Sequence, residues 1–175
     1  MLKRSMLILL TAAAPVAAQR ASANPGVENA RVLWTSVRDF IAQAAADVPE
    51  SMYAYRPTPE VRTFGELIGH IAGSQKMFCA WGLGEAPPAE DAVEKAAKTK
   101  AALVAALKES NDYCARAYNQ TDAATTNAMV EIFGERRSRL FALLENATHD
   151  NEHYGNIVTY MRLNKMVPPS SRPAR

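Results

Sequence analysis

Three histidines are the residues of this chain best suited to chemistry. His149 and His153 are four residues apart, and His70 ends the stretch TFGELIGH. On a helix, residues four apart lie one turn from each other and about 40° apart around the axis, so both rings can point toward one ion. Neutral imidazoles bind Zn²⁺, Ni²⁺ or Fe²⁺, and a set of three leaves coordination positions open, as in catalytic sites. The spacing indicates one divalent metal, with unrelated surface or core histidines as the alternative.

The same stretch also matches a peptidase pattern. Residues 149–153 read H-D-N-E-H, which is the inverted zinc-peptidase motif H-x-x-E-H with Glu152 as general base. That class needs a further ligand well downstream, but only 22 residues follow His153 and none is acidic. The chain also lacks G-x-S-x-G, a glycine-rich phosphate loop and a dinucleotide fingerprint. We therefore expect neither a peptidase, a serine hydrolase nor a nucleotide-binding enzyme.

Apolar periodicity predicts the helices that carry these residues. The first helix covers 27–48, and the second begins at the capping-box pattern Thr63-Phe-Gly-Glu66 and ends at Gly82 and Gly84. A third, rich in alanine, lysine and leucine, is predicted from about 89 to 118, and the last from about 137 to 164. Residues 119–136 are irregular except for the strand-like VEIF. Four such helices predict an all-α protein, a four-helix bundle.

The last helix has two distinct faces. Its main apolar stripe runs through Leu140, Leu144, Ala147, Tyr154, Val158 and Met161. His149 and His153 lie on a second, mixed face with Asn156 and Tyr160. His70, at the edge of the apolar stripe of its own helix, can point into the same cavity. The loop before that helix is about 14 residues long, and loops of this length are often functional. Its Tyr53, Tyr55 and Arg56 either reach over one end of the bundle or plug it.

The N-terminus predicts export. Residues 1–23 have a basic start, an apolar run and small residues before two cleavage sites, after Ala18 or Ala23, as in a secretory signal peptide. The alternative, an uncleaved membrane anchor, is disfavoured because the apolar run is too short to span a bilayer. Cleavage changes the net charge from +2 to 0 or −1. A near-neutral chain is not expected to bind nucleic acid, and it would meet a membrane only during export to the periplasm or the medium.

An exported chain can form a disulfide, and this one has two cysteines, Cys79 and Cys114. If the second and third predicted helices were antiparallel, Cys79 would lie level with Lys95. If they were parallel, the two cysteines would still differ by about 13 Å along the axis. Both registers place them beyond bridging distance, so we expect two buried thiols.

Two stretches together resemble the DinB-like family of DNA-damage-inducible proteins. They are YAYRPTPEVRTFGELIGHIAGS, residues 53–74, and HDNEHYGNIVTYMRLNKMVPPSS, residues 149–171. They are similar to the family patterns Y-x-x-R-P…F…E-x-x-x-H-(I/V)-A and H-x-x-x-H-x-G-Q-x-x-x-Y-x-R-x-x-x-x-x-P-P. The likeness covers essentially all of the chain after residue 23. Asn156 stands where the family often has glutamine, a departure expected to disturb a hydrogen bond behind the metal ligands.

The resemblance implies a bundle of up-down-down-up topology over residues 24–167, with 168–175 as a tail. It also implies a divalent metal on His70, His149 and His153 and, in many members, a homodimer. Known activities in the family are mainly thiol-dependent transfers or isomerisations that use glutathione, mycothiol or bacillithiol, in which the metal would stabilise a thiolate. An exported member would not meet these thiols in abundance.

These inferences combine into one expectation. The chain is an exported, metal-dependent enzyme, a transferase or hydrolase that acts on a small molecule. Tyr53, Arg56 and Tyr160 are weaker candidates for its pocket. The alternative is a non-catalytic bundle that binds a metal or a small ligand, because no obvious proton-transfer residue accompanies the histidines.

Overall fold

The structure is a computed structural model that describes residues 24–119 and 122–173. The predicted signal peptide, residues 1–23, lies outside the described residues. The described helices are α1 (Pro25–Asp47), α2 (Phe64–Leu83), α3 (Ala92–Ala96), α4 (Lys100–Asn119), α5 (Ala123–Asn127) and α6 (Arg139–Leu163). Two strands, β1 (Met129–Ile132) and β2 (Glu135–Ser138), form an antiparallel hairpin. Among the described residues, no helix is both long enough and apolar enough to cross a bilayer.

Four helices form a bundle in which α1 and α2 each pack against both α4 and α6. The end of α1 lies beside the starts of α2 and α4, because Lys100 Nζ donates to the Val48 carbonyl at 2.7 Å and Tyr53 Oη donates to the Ala45 carbonyl at 2.6 Å. At the other end of α2, the disulfide partner of Cys79 lies near the end of α4. Helices α2 and α4 are therefore parallel to each other and antiparallel to α1 and α6. The predicted all-α four-helix bundle with up-down-down-up topology is confirmed.

Side-chain caps fix where the bundle helices begin. The predicted capping box of α2 is present: Glu66 N donates to Thr63 Oγ1 at 3.2 Å, and Thr63 N donates to the Glu66 carboxylate at 2.7 Å. Ser138 caps α6 by accepting from Phe141 N at 3.2 Å. These contacts satisfy backbone donors that a helix start leaves open, and they set the angular position of His70 and of the α6 histidines.

The third predicted helix is two helices. The segment 89–118 breaks between α3 and α4, and Thr99 Oγ1 accepts from Ala102 N at 3.2 Å as α4 begins. The break allows residues 84–99 to run back along α2, so that α4 starts level with the start of α2. Parallel neighbours need such a crossover, which a continuous helix cannot provide. The prediction of one helix over 89–118 is therefore wrong.

Cys79 and Cys114 form a disulfide with a Cα–Cα distance of 5.2 Å, and both residues are fully buried. The expectation of two free thiols is wrong, and the helix boundary explains why. The expectation of two thiols places the start of the third helix at residue 89, whereas α4 begins at Lys100. Cys79 and Cys114 then lie at nearly equal distances from the starts of two parallel helices, within one turn of each other.

The hairpin between α5 and α6 replaces the single strand-like piece expected at VEIF. Ile132 pairs with Glu135, so the loop has two residues. Phe133 and Gly134 have φ angles of 51° and 81°, the left-handed backbone that tight hairpin loops require. Glycine adopts this backbone conformation without strain. Phe133 adopts it as well, and this residue is 70% exposed. The hairpin thus presents one large apolar side chain at its tip.

Candidate metal centre

Two bundle helices bring the three histidines together. His70 comes from the first half of α2, and His149 and His153 come from adjacent turns of α6. Nε2 of His70 lies 3.0 Å from Nε2 of His153, which in turn lies 3.1 Å from Nε2 of His149. Each ring has a nitrogen within 4.8 Å of the corresponding nitrogens of the other two. His70 and His153 are buried, and His149 is half-buried.

This geometry fits a divalent ion. In a tetrahedral site with metal–nitrogen bonds of about 2.0–2.1 Å, neighbouring ligand nitrogens are about 3.3 Å apart. The two shorter Nε2 separations come within a few tenths of an ångström of that spacing. Without an ion, each close pair of nitrogens can share only one proton, whereas one cation would satisfy all three lone pairs. The cluster therefore could hold a metal and would leave part of its coordination sphere open.

The electrostatic surroundings keep the imidazoles neutral, the form that binds metal. Burial lowers the pKa of His70 to about 4, with smaller contributions from Arg62 and His153. Burial lowers the pKa of His149 to about 3, helped by His153 and His70. The pKa of His153 is also lowered, again mainly by burial, although Glu152 opposes the shift. Each ring thus offers a free lone pair at neutral pH.

Polar side chains surround the three histidines. Asn156 places its amide 3.3 Å from Nδ1 of His153, so the shorter side chain at this position still reaches the ring. Glu90 Oε1 lies 3.8 Å from Nε2 of His70, and Glu94 Oε2 lies 3.9 Å from Nδ1 of the same ring. These carboxylates belong to the crossover and the start of α3. The segment that joins α2 to α4 therefore supplies acidic groups to the site.

A cavity of about 670 Å³ opens beside His153. Its wall comes from the loop before α2, from α3 and from α6, and it includes Arg62, Glu94, Asn156 and Tyr160. Arg62 places a guanidinium in this wall, and its positive charge contributes to the lowered pKa of all three histidines. The cavity is large enough for a small organic molecule, and it lies directly next to a candidate ligand.

The weaker pocket candidates occupy different places. Tyr160 lines the cavity, but its hydroxyl donates to the Arg62 carbonyl at 2.7 Å. Tyr53 is buried, and its ring packs edge-on against Phe64 at 5.1 Å, so it plugs the end of the bundle. Arg56 is exposed and pairs with Glu66 at 3.4 Å. The structure brings Tyr160 to the site and places Tyr53 in the core and Arg56 at the helix cap.

An apolar wall lies on the other side of His149. The Phe78 ring is 5.4 Å from the His149 ring and 6.2 Å from the Phe133 ring at the hairpin tip. Trp81 lies 5.0 Å from Phe133. This wall keeps solvent from one side of the histidine cluster and contributes to the burial that lowers the pKa of His149.

Two acidic residues of α6 have no role as ligands. Glu152, the general base of the peptidase interpretation, is exposed. Asp150 is fully buried, and burial raises the pKa of its carboxyl well above the usual value. It interacts with Trp34 and Tyr118 in the core. Among the described residues, the group suited to holding a metal consists of the three histidines.

Sequence reasoning missed Arg62, Glu90 and Glu94. One signal was available: Gly65, Gly69 and Gly73 recur every four residues on α2, a spacing that lines up small residues on one helix face. A Cβ at Gly69 would lie 2.9 Å from Glu94 Cα, and one at Gly73 would lie 1.9 Å from the Glu90 carbonyl oxygen. Gly69 and Gly73 therefore mark where the crossover packs on α2, beside His70, whereas Gly65 lies against Tyr53 and Leu103.

Comparison with known proteins finds a matching family and solved structures of similar fold. The model of the DinB superfamily matches residues 33–157. Among solved structures, a DinB-like protein from Bacillus cereus is 16% identical with a TM-score of 0.69, over 81% of this chain and 95% of that one. A DinB-like protein from Bacillus subtilis is 19% identical with a TM-score of 0.66, over 86% of this chain and all of that one.

A third solved structure is a mutant of a mycothiol-dependent maleylpyruvate isomerase. It is 15% identical with a TM-score of 0.62, over 77% of this chain and 65% of that one. At these identities the three structures are similar in fold. No curated protein matches the sequence.

Proposed function

Since the chain belongs to the DinB superfamily, we propose that it is a metal-dependent enzyme that transfers a group to, or hydrolyses, a small molecule. His70, His149 and His153 hold one divalent ion, Zn²⁺, Ni²⁺ or Fe²⁺. The observation that carries the proposal is the convergence of the three Nε2 atoms beside a cavity of about 670 Å³. When bound, the metal supplies Lewis-acid chemistry at its open positions.

The protein's own groups define what the cavity accepts. Arg62 pairs with Glu94, which lines the same cavity, so the wall carries both charges and suits a strongly polar small molecule. Asn156 and Tyr160 border the same space and can orient polar atoms of a ligand. Phe78 packs against His149 and excludes water from that side of the ring. A polar small molecule in this cavity would reach the metal from the side of His153.

Metal content tests this proposal. We expect purified mature protein to contain about one divalent ion per chain by elemental analysis, and His149→Ala and His153→Ala each to lose it, because two imidazoles hold an ion far less tightly than three. Glu152→Gln is the matched control, since this exposed residue lies between the two ligands on α6. Full metal content in both alanine variants would show that His149 and His153 are not the metal ligands.

Export is part of the proposal. The fully buried Cys79–Cys114 disulfide supports it, because such bonds persist in oxidising compartments. Low-molecular-weight thiols are scarce there, so we favour a reaction that does not consume them over the mycothiol dependence of the isomerase of similar fold. Mass spectrometry of protein from exporting cells should give a chain that begins at residue 19 or 24. A chain that retains residues 1–18 would argue for an anchor.

A second candidate function is a non-catalytic bundle that binds a metal or a small ligand. One observation favours it: the hydroxyls of Tyr53 and Tyr160 both donate to backbone carbonyls, so neither is free for proton transfer. Metal-loaded protein screened for hydrolase and transferase turnover separates the two functions. Turnover that His70→Ala abolishes would exclude the binding module, and metal binding without any turnover would favour it.

A further inference from the structure

The outer nitrogen of His70 has no hydrogen-bond partner among the described residues. Nε2 of this ring faces the other histidines, so a metal bound there requires the proton to sit on Nδ1. That Nδ1 is buried and lacks an acceptor. The corresponding atom of His153 faces the Asn156 amide, with Nδ2 at 3.3 Å, and a turn of this amide brings its oxygen, an acceptor, to that atom. Because a buried N–H without an acceptor is unfavourable, a metal-binding His70 calls for one.

Glu94 is the carboxylate placed to accept that proton. Its Oε2 lies 3.9 Å from Nδ1 of His70, about 0.7 Å beyond ordinary hydrogen-bond length. The other nearby carboxylate, Glu90, faces the opposite ring nitrogen, with Oε1 3.8 Å from Nε2. Glu90 therefore lies on the metal side of the ring and Glu94 on the outer side.

The position of Glu94 is fixed by two independent contacts. Gly69 precedes His70 on α2, and a Cβ at that glycine would lie 2.9 Å from Glu94 Cα, so the absence of a side chain lets α3 lie against the helix. Arg62 Nε donates to both carboxylate oxygens, at 3.3 and 3.2 Å. The Glu94 side chain is only 20% exposed. This carboxylate is thus held beside His70 by both packing and charge.

We propose that Glu94 is the positioning residue of His70: its carboxylate accepts the Nδ1–H of the ring, fixes its orientation and so strengthens metal binding at Nε2. The inference rests on the proposed metal site. Carboxylates behind metal-binding histidines have this effect in many proteins, and their loss typically weakens metal affinity by about 10- to 100-fold.

The test compares Glu94→Gln with Glu109→Gln in the mature protein. Glu109 is a matched control, because this glutamate also forms an ion pair between two helices, with its carboxylate 2.9 Å from Lys76 Nζ. Unlike Glu94, it lies away from the histidines. The affinities for Zn²⁺ and Co²⁺ are measured by chelator competition, together with the visible spectrum of the Co²⁺ forms. We expect Glu94→Gln to bind each metal about 10- to 100-fold more weakly, with an altered Co²⁺ spectrum, and Glu109→Gln to match the parent.

The unfolding midpoints of the metal-free proteins show whether Glu94→Gln acts through the fold. Weaker affinity with an unchanged midpoint supports a positioning role. Affinity within about twofold of the parent, or an equal loss in Glu109→Gln, would overturn the inference and leave the three-histidine site standing. A parent protein that binds neither metal would overturn both.

Discussion

His70, His149 and His153 differ in what stands behind each ring. Asn156 adjoins Nδ1 of His153, Glu94 lies near that of His70, and the Nδ1 of His149 is buried without a hydrogen-bond partner among the described residues. The three ligands are thus supported unequally. We expect His149, which is packed instead against Phe78, to depend on apolar contact for its orientation.

Asn156 is the side chain in contact with Nδ1 of His153, which its Nδ2 faces at 3.3 Å. When Nε2 of this ring is a ligand, Nδ1 carries the proton, and the amide turns by 180° so that Oδ1 accepts it. Asn156→Ala removes the acceptor, so metal affinity should fall about 10-fold, whereas Asn156→Gln, with the residue common in the family, should bind at least as tightly as the parent. Asn151→Ala is the control, since this α6 amide donates to the Ala147 carbonyl instead. Unchanged affinity in Asn156→Ala, by chelator competition, would contradict this role.

The crossover of residues 84–99 packs on Gly69 and Gly73 of α2. The closest approach is at Gly73, where a Cβ would lie 1.9 Å from the Glu90 carbonyl oxygen. A backbone atom cannot rotate away as a flexible side chain can. The crossover must therefore shift as a unit when this position gains a side chain.

Substitution of two glycines tests that packing. Gly73→Ala should lower the free energy of unfolding by about 1–3 kcal/mol, because overpacking outweighs the better helix propensity of alanine. Gly155→Ala is the matched control: nothing lies within 4 Å of its Cβ, so the same change on exposed α6 should raise stability by about 0.5–1 kcal/mol. Urea unfolding of the metal-free proteins measures both. Equal stabilities for the two variants would show that the crossover does not press on α2.

The elements also show what the sequence can and cannot predict. Helices α1, α2 and α6 follow from apolar period and caps such as Thr63 with Glu66, which are local signals. The break between α3 and α4 leaves little local trace, because the alanine- and lysine-rich segment favours helix throughout. The predicted separation of the two cysteines was therefore wrong, and Glu94 was missed at the site, because both depend on where α4 begins. The histidine cluster was predictable because two of its members lie on one helix turn and the third follows a cap.

The disulfide joins α2 to α4 across 35 residues of sequence. Closing a loop of this length in the unfolded chain is worth about 3–4 kcal/mol in the chain-entropy model. We expect the double variant Cys79→Ala, Cys114→Ala to lose roughly that much unfolding free energy, measured in urea, while it keeps the metal content of the parent. The exported parent should show no reactive thiol after denaturation. Two titratable thiols would contradict the bond.

The bundle and the candidate site share one connection. Parallel helices α2 and α4 need a crossover, and here the crossover passes over His70 and carries Glu90 and Glu94 with it. The three histidines sit on the rigid helices, whereas these carboxylates sit on the segment that joins them. Insertions or deletions between residues 84 and 99 would therefore exchange the groups around an unchanged set of ligands. In evolutionary terms, this fold can diversify its chemistry through the length and content of one loop without rebuilding its metal-binding framework.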